Sequence, residues 1–524
     1  AIGINGTVPA PLIRLREGQN VRLHVVNELD EETSIHWHGL LLPFQMDGVP
    51  GIAFPGIPAR STFTYEFPII QSGTYWYHSH SGLQEQEGHY GPILIDPKNP
   101  DPVKFDREHV IVLSDHSFHH PHYLFDRLKK ESGYFNRQRQ TLAGLLAGKD
   151  QSLKERLEWG KMRMDPADVA DVTGSVYTYL VNGYGPKDNW TALFRPGERV
   201  RLRFINGSAM TYFDVRIPGL KMTVVAADGQ DVRPVDVEEF RIAVAETYDV
   251  IVEPAEDRAY TIFSQAMDRS GYARATLAPR PGMQAEVPAV DRVQLLGMMD
   301  MGMKHDMGGM DHGAAPEATA GAMAGMNHGA MPGMDHGSSH GGGADQGGIV
   351  EVRHPYPEER GPGNSMLPDV VSTRLDDPGI GLRDNGRRVL TYADLRSRFA
   401  DPDGRVPSRT LELHLTGHME RYQWSFNGQK FSDAQPLRLN YGERMRIVLV
   451  NDTMMEHPIH LHGLWSDLED ADGNFQVRKH TVNMPPGTRR SYRVTADALG
   501  RWAYHCHLLY HMEAGMFREV VVDA

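Results

Sequence analysis

Cysteine is almost missing from this chain: its 524 residues include one, Cys506. A single thiol excludes an internal disulfide and leaves metal binding as the chemistry to test. Long apolar runs are missing too, since none approaches the ~18 residues that a membrane-crossing helix needs. Positive charge is in deficit, with 54 Lys and Arg against 68 Asp and Glu and a net charge of −14. That balance argues against nucleic acid and anionic membrane surfaces as partners and is compatible with cationic substrates. The chain also opens at Ala1 without a Met or signal sequence, so an export leader is expected to be absent from it.

Glycine and proline are plentiful, at 53 and 34 residues. Stretches such as Val21 to Val26, Val200 to Ile205 and Met445 to Val450 alternate or run apolar and β-branched, as strands do. The length suits about three domains, and an internal repeat supports that division. Asn5-Gly6, Asn182-Gly183 and Asn427-Gly428 open three segments. A turn glycine follows in each (Gly18, Gly197, Gly442), and nine residues later comes an asparagine (Asn27, Asn206, Asn451). Antiparallel Greek-key sandwiches are the expected fold.

Four His-x-His pairs are set on this repeat: His36/His38, His78/His80, His460/His462 and His505/His507. Spacing of two puts both imidazoles on one face of a strand. One such pair is weak evidence for a metal, but four in one chain are not. The first and third segments place a pair nine and eleven residues past the repeat asparagine. In the second segment the same offsets fall on Val215 and Ile217. The other two pairs lie at equal offsets from Gly73 and Gly500. Eight imidazoles from two homologous domains, related by a pseudo-twofold, suffice for about three metal ions.

Cys506 lies between His505 and His507 but points to the opposite face, with His511 and Met516 beyond it. Thiolate, imidazole and a weak thioether form the ligand set of a blue-copper electron-transfer site. The first domain lacks this set, because Ser79, Thr33 and Gln84 stand where the third has Cys506, His457 and His511.

His-Trp-His-Gly, His-Ser-His, His-Pro-Ile-His-Leu-His-Gly and His-Cys-His-x3-His-x4-Met resemble the four signature motifs of multicopper oxidases. Tyr75 to Glu87 and Leu415 to Tyr422 resemble the bacterial periplasmic copper-resistance protein A branch, which also has a Met-rich segment. The resemblance implies an all-β chain of three cupredoxin-like Greek-key β-sandwich domains, and four coppers. The type 1 ion would take His457, Cys506, His511 and axial Met516. The type 2 ion would take His36 and His460, and the type 3 pair His38, His78, His80, His462, His505 and His507. Electrons would enter singly at type 1 and pass through Cys506 and its flanking histidines to reduce dioxygen. Proton delivery calls for a carboxylate, with Asp47 at the family position and Glu513, Glu85 and Glu87 as further candidates.

The expected organisation is domain 1 at 1–115, a helical insertion at 116–170, domain 2 at 171–290, a Met/His/Gly-rich flexible linker at 291–365 and domain 3 at 366–524. In the insertion, Tyr123, Leu124, Leu128, Leu153 and Leu157 have helical spacing, and His116, His119, His120 and His122 are read as solvated. The linker carries Gly-Met-Asp-His-Gly-type repeats around Met310, Met326 and Met334. Such a composition builds no core, and thioethers beside imidazoles favour extra Cu(I). Met455, two residues before His457, matches a methionine at the Cu(I) site of related cuprous oxidases, with Met454 and Glu456 adjacent and Thr453 in place of their aspartate. The preferred reading is a periplasmic oxidase of Cu(I), partnered by dioxygen and by periplasmic copper carriers. A laccase-like oxidase of phenols or catechols and a copper-sequestering protein are the alternatives.

Overall fold

The computed structural model describes residues 1–148, 151–303 and 348–524. The Asn-Gly repeats are the tight turns of hairpins. Asn5, Asn182 and Asn427 each have φ of 51°, and Gly6, Gly183 and Gly428 have φ of 78°, 82° and 73°. Two successive positive φ values define the two-residue turn that matches strand twist, which explains the choice of Asn and Gly. The later asparagines are buried clamps. Asn27 donates to the carbonyls of Glu31, Ile57 and Pro58, Asn206 to those of Thr211 and Ile242, and Asn451 to those of Met455 and Met484. Each therefore closes the loop that leads out of its strand, which in two of the three copies leads into a histidine pair.

Three β-sandwiches result, as expected. In the first, a sheet ordered Ile13–Arg16, Tyr90–Asp96, Gly73–His78, His36–His38 faces the pair Asn20–Val26 and Thr62–Pro68. Trp37, Tyr65, Phe67, Tyr75 and Tyr77 fill the space between. The second and third sandwiches each have a six-stranded and a five-stranded sheet. Pairing is mixed rather than purely antiparallel: Val200–Asn206 runs parallel to Arg107–Ser117, and Arg444–Asn451 parallel to Arg409–His418.

Those parallel pairs move the domain limits. Arg107–Ser117, assigned above to domain 1 at 1–115, is an inner strand of the second sandwich. The helices Pro121–Lys130, Leu142–Leu146 and Leu153–Met162 then lead to Tyr177–Val181, which pairs with Arg107–Ser117 in the same sheet. The insertion thus interrupts the second domain and does not separate the first two. Leu124, Phe125 and Leu128 are buried and Phe125 stacks on Tyr510, so the first helix covers the third domain beside His511. Leu153 and Leu157 are exposed instead, and Trp159 anchors the last helix. The third sandwich begins at Arg409 rather than at 366. Before it, Val389 bridges Glu239 and Ser397 bridges Val232 in the second domain, while Ser372 bridges Thr488 in the third. Among the described residues no helix is long and apolar enough to cross a membrane.

Glycines fit the domains together. Gly73 has φ of 131°, and a Cβ there would lie 2.2 Å from the Gly229 carbonyl oxygen; its counterpart Gly500, at 135°, abuts Phe44 in the same way. Gly73→Ala should combine backbone strain with a clash across the first and second domains, costing roughly 2 kcal/mol or more. A lowered calorimetric midpoint is the expected result, and an unchanged one would mean that the Gly229 turn yields freely.

Candidate metal centres

Strand register brings the histidine pairs together. His36 pairs with His78 across one sheet, and His460 with His505 across another. The first and third domains meet so that His36 stacks on His462 and His38 on His460, both at 3.8 Å between ring centroids. This reciprocal stacking is the pseudo-twofold anticipated from the repeat. Two triads and a pair emerge. His462 and His80 bring Nε2 to 3.0 and 3.2 Å from Nε2 of His505. The rings of His38, His78 and His507 lie 4.9 to 5.7 Å apart. His36 and His460 face each other at 5.7 Å.

The far nitrogens are held and the near ones are left open. His36 Nδ1 donates to the Asp47 carbonyl (2.7 Å) and His460 Nδ1 to the His480 carbonyl (2.6 Å). His462 Nδ1 donates to Asp47 Oδ2 at 2.8 Å, and His78 Nδ1 donates to the Ser79 carbonyl at 3.0 Å with Glu85 Oε2 2.8 Å away. His505 Nδ1 donates to the Cys506 carbonyl at 2.9 Å. Buried and without partners remain Nε2 of His36, His78 and His460, Nδ1 of His38 and both nitrogens of His507. His38 is turned around, its Nε2 meeting His480 Nδ1 at 3.1 Å. Burial pushes His38, His78, His80, His460, His462 and His507 well below the usual imidazole range, and His505 to about 4. Neutral rings with outer N–H groups engaged and inner lone pairs converging are what metal binding requires. The donor set fits a group of copper ions.

On the opposite face of Gly500–Cys506, Cys506 Sγ lies 3.5 Å from His457 Nδ1 and 3.9 Å from His511 Nδ1, with 3.1 Å between the two nitrogens. His511 Nε2 donates to Asp171 Oδ2 at 2.6 Å. His457 Nε2 donates to Thr453 Oγ1 at 2.8 Å, a hydroxyl whose own hydrogen is directed to Asn451 Oδ1 or the Met455 carbonyl. Met516 is fully buried, and its carbonyl accepts from Cys506 N. Burial raises the Cys506 thiol far above its ordinary range, so only an adjacent cation would hold it as thiolate. The corresponding residues of the first domain also converge. Thr33 Oγ1 and Ser79 Oγ both donate to Gln84 Oε1, at 2.7 and 2.9 Å, so hydrogen bonds join these three side chains in place of a metal triangle.

Other expectations are corrected. Glu513 is exposed at the end of the short helix Leu509–Glu513, whereas Glu85 is buried against His78. Burial, reinforced by Asp115, pushes the Glu85 carboxyl well above the usual range. Glu87 is half-buried and lies 3.8 Å from His120. Met454 and Met455 are buried in the apolar core. Glu456 borders a cleft with Met299, but its oxygens are taken by Arg241 (3.2 Å) and Asn483 (2.6 Å). None of the three presents a free ligand atom at the surface. His119, His120 and His122 are exposed and His116 half-buried. The methionine repeats from 304 to 347 lie outside the described residues. Asp171 and His480 escaped the sequence reading, as did the role of Thr453 as the partner of His457, because single residues far apart in the chain carry no spacing signal.

Comparison with known proteins agrees with this geometry. Residues 1–100, 108–281 and 405–524 each match a family profile described as multicopper oxidase. The chain is 61% identical to a copper resistance protein A homolog of Pseudomonas syringae pv. tomato, over 100% of this chain and 89% of that protein. It is 60% identical to copper resistance protein A of Escherichia coli, over 99% of this chain and 89% of the other. The laccase of Botrytis aclada shares the fold, with a TM-score of 0.63 at 20% identity over 99% of this chain and 84% of that one. The chain belongs to the multicopper oxidase family, whose members are copper-dependent enzymes that oxidise a reducing substrate with dioxygen.

Proposed function

We propose that this enzyme oxidises Cu(I) to Cu(II) in the periplasm as part of copper resistance, using four coppers in the sites built above. The observation that supports the substrate most is the 58 to 61% identity to three proteins named for copper resistance. The net charge of −14 favours a cation over a neutral phenol. Bound copper supplies the one-electron couples, one ion at Cys506 and three among the histidine pairs.

The residues do the rest. Cys506, His457, His511 and Met516, all buried, would hold the electron-accepting ion, and Asp171 and Thr453 fix both imidazoles with Nδ1 inward. Cys506 is covalently continuous with His505 and His507, so electrons need cross only a few bonds to the dioxygen site. His36 and His460 would hold one ion, and His38, His78, His507 and His80, His462, His505 would hold two. Asp47 orients His36 through its carbonyl and His462 through its carboxylate. Glu85 keeps a proton at its carboxyl beside His78, next to where reduced oxygen must be protonated.

Laccases are also among the relatives, at 26 to 32% identity, so phenol oxidation is the rival reading. Oxygen uptake by the copper-loaded protein with Cu(I) and with a phenol separates the two, and faster turnover on the phenol would reject the Cu(I) assignment. Cys506→Ser should remove absorption near ~600 nm and bring uptake on either substrate to background. Asp47→Ala should weaken copper retention at the histidine cluster by about 10- to 100-fold while the blue colour persists. Glu85→Gln should slow oxygen reduction by at least about 100-fold without changing anaerobic bleaching of the blue colour. Equal slowing of both steps would assign Glu85 a purely structural role.

A further inference from the structure

A second group of metal-ligating side chains, apart from the copper sites, lies where the segment that precedes the third sandwich packs on it. His354 follows the strand Ile349–Glu351, and Glu359 is in the 3-10 turn Pro357–Arg360. His414 is on Arg409–His418, and Asp452 follows Arg444–Asn451. Asp452 Oδ2 lies 2.7 Å from His414 Nδ1 and 3.2 Å from His354 Nδ1. Glu359 Oε2 is 3.6 Å from His354 Nδ1, and its Oε1 is 3.8 Å from His414 Nδ1. These spacings bracket the edge of about 3.3 Å of a tetrahedron with ligand bonds of about 2.0–2.1 Å. Glu359 is 1% exposed, and neither of its carboxylate oxygens has a hydrogen-bond partner, nor has Asp452 Oδ1.

The outer nitrogens are supported as metal-bound imidazoles usually are. His354 Nε2 donates to the Pro368 carbonyl at 2.9 Å, and His414 Nε2 faces Glu412 Oε1 at 3.4 Å. The frame is built to bring them together. Asn427 holds His414 through its backbone N–H and carbonyl, and a Cβ on Gly428 would strike the Glu358 backbone at 2.4 Å. The repeat turn Asn427-Gly428 therefore lets the Glu359 segment close over His414.

We propose that His354, Glu359, His414 and Asp452 form a further metal site for a divalent ion of the Zn(II) or Cu(II) class. Two imidazoles and two carboxylates suit such ions, and the absence of sulfur among the ligands disfavours Cu(I). Burial lowers the two histidines, but the adjacent carboxylates, Asp452 and Glu359 at His354 and Asp452 and Glu412 at His414, outweigh it and lift them to about 10 and about 9. The other groups facing the site are Glu412, its partner Arg489, and Tyr356. A divalent ion would displace two protons and leave the net charge of the buried group unchanged, which avoids the cost of an uncompensated buried charge.

The test uses copper-loaded full-length protein equilibrated with zinc, with copper plus zinc counted per chain. The wild type should hold one ion more than His354→Gln or His414→Gln, with the blue colour equal in all three. After a chelator wash that spares the blue colour, zinc added back to the wild type at pH 8 should release about two protons per ion. Ordinary surface histidines are already neutral there and would release none. This second measurement holds even if a variant fails to fold. Equal metal counts in folded variants, or zinc uptake without proton release, would show these residues to be an ion-pair network only.

Discussion

Burying neutral imidazoles whose inner lone pairs meet no hydrogen-bond donor is the constraint around which this molecule is organised. Each unpaired buried polar atom costs about 1–3 kcal/mol, and at least six ring nitrogens of the central cluster are in that condition. Hydrogen bonding cannot relieve them, because the rings face one another rather than donors. Cations placed among them would relieve them, which links metal affinity to domain assembly. Half of the cage comes from His36, His38, His78 and His80, and half from His460, His462, His505 and His507. Neither terminal domain can complete it alone.

The second domain has no ligands, yet it carries the strain of that association. Its Asp249 accepts from Thr74 of the first domain at 2.8 Å and pairs with Arg201 and Arg203. Its Asp228 and Glu246 hold the buried Lys479 of the third domain at 2.9 and 3.0 Å. Removing one member of such buried pairs would leave a bare charge, which costs far more than a surface ion pair. Val215 and Ile217, at the offsets that carry ligands elsewhere, are wholly apolar and buried here. The same sandwich thus serves twice as a ligand frame and once as a clamp.

What could be read from sequence was whatever a period or a fixed offset encodes. The Asn-Gly turns, the clamp asparagines, the His-x-His pairs and the Cys506 segment all repeat at set distances, and backbone geometry converts distance along a strand into facing. Contacts between distant segments that share no repeat were illegible. Arg107–Ser117 reads as the tail of the first domain, because only its parallel pairing to Val200–Asn206 assigns it to the second. Glu513 is near Cys506 in the chain but beyond a helical turn that faces it outward, while Glu85 reaches His78 from the 3-10 turn Gln84–Glu87. Met454 and Met455 lie beside a ligand in sequence and within the core in space. Asp171, Thr453 and His480 are single residues, and nothing in a single residue marks it as the second partner of an imidazole.

The unequal fate of the two homologous triads shows how little separates a metal site from ordinary packing. Thr33, Ser79 and Gln84 satisfy one another, and Gln84 Nε2 donates onward to Glu31 Oε1 and the Glu32 carbonyl at 2.9 Å each. Nothing is left over for a cation. At the equivalent positions His457, Cys506 and His511 bring two nitrogen lone pairs and a sulfur to within 3.9 Å, with outer nitrogens already committed to Thr453 and Asp171. Side chains that each both donate and accept close on themselves, whereas side chains left with only lone pairs facing inward need an ion. The backbone of the sandwich is common to both outcomes. Three side-chain identities therefore set the electron-entry site proposed above, and Cys506 joins it to the histidine cluster because its neighbours on the strand point the other way.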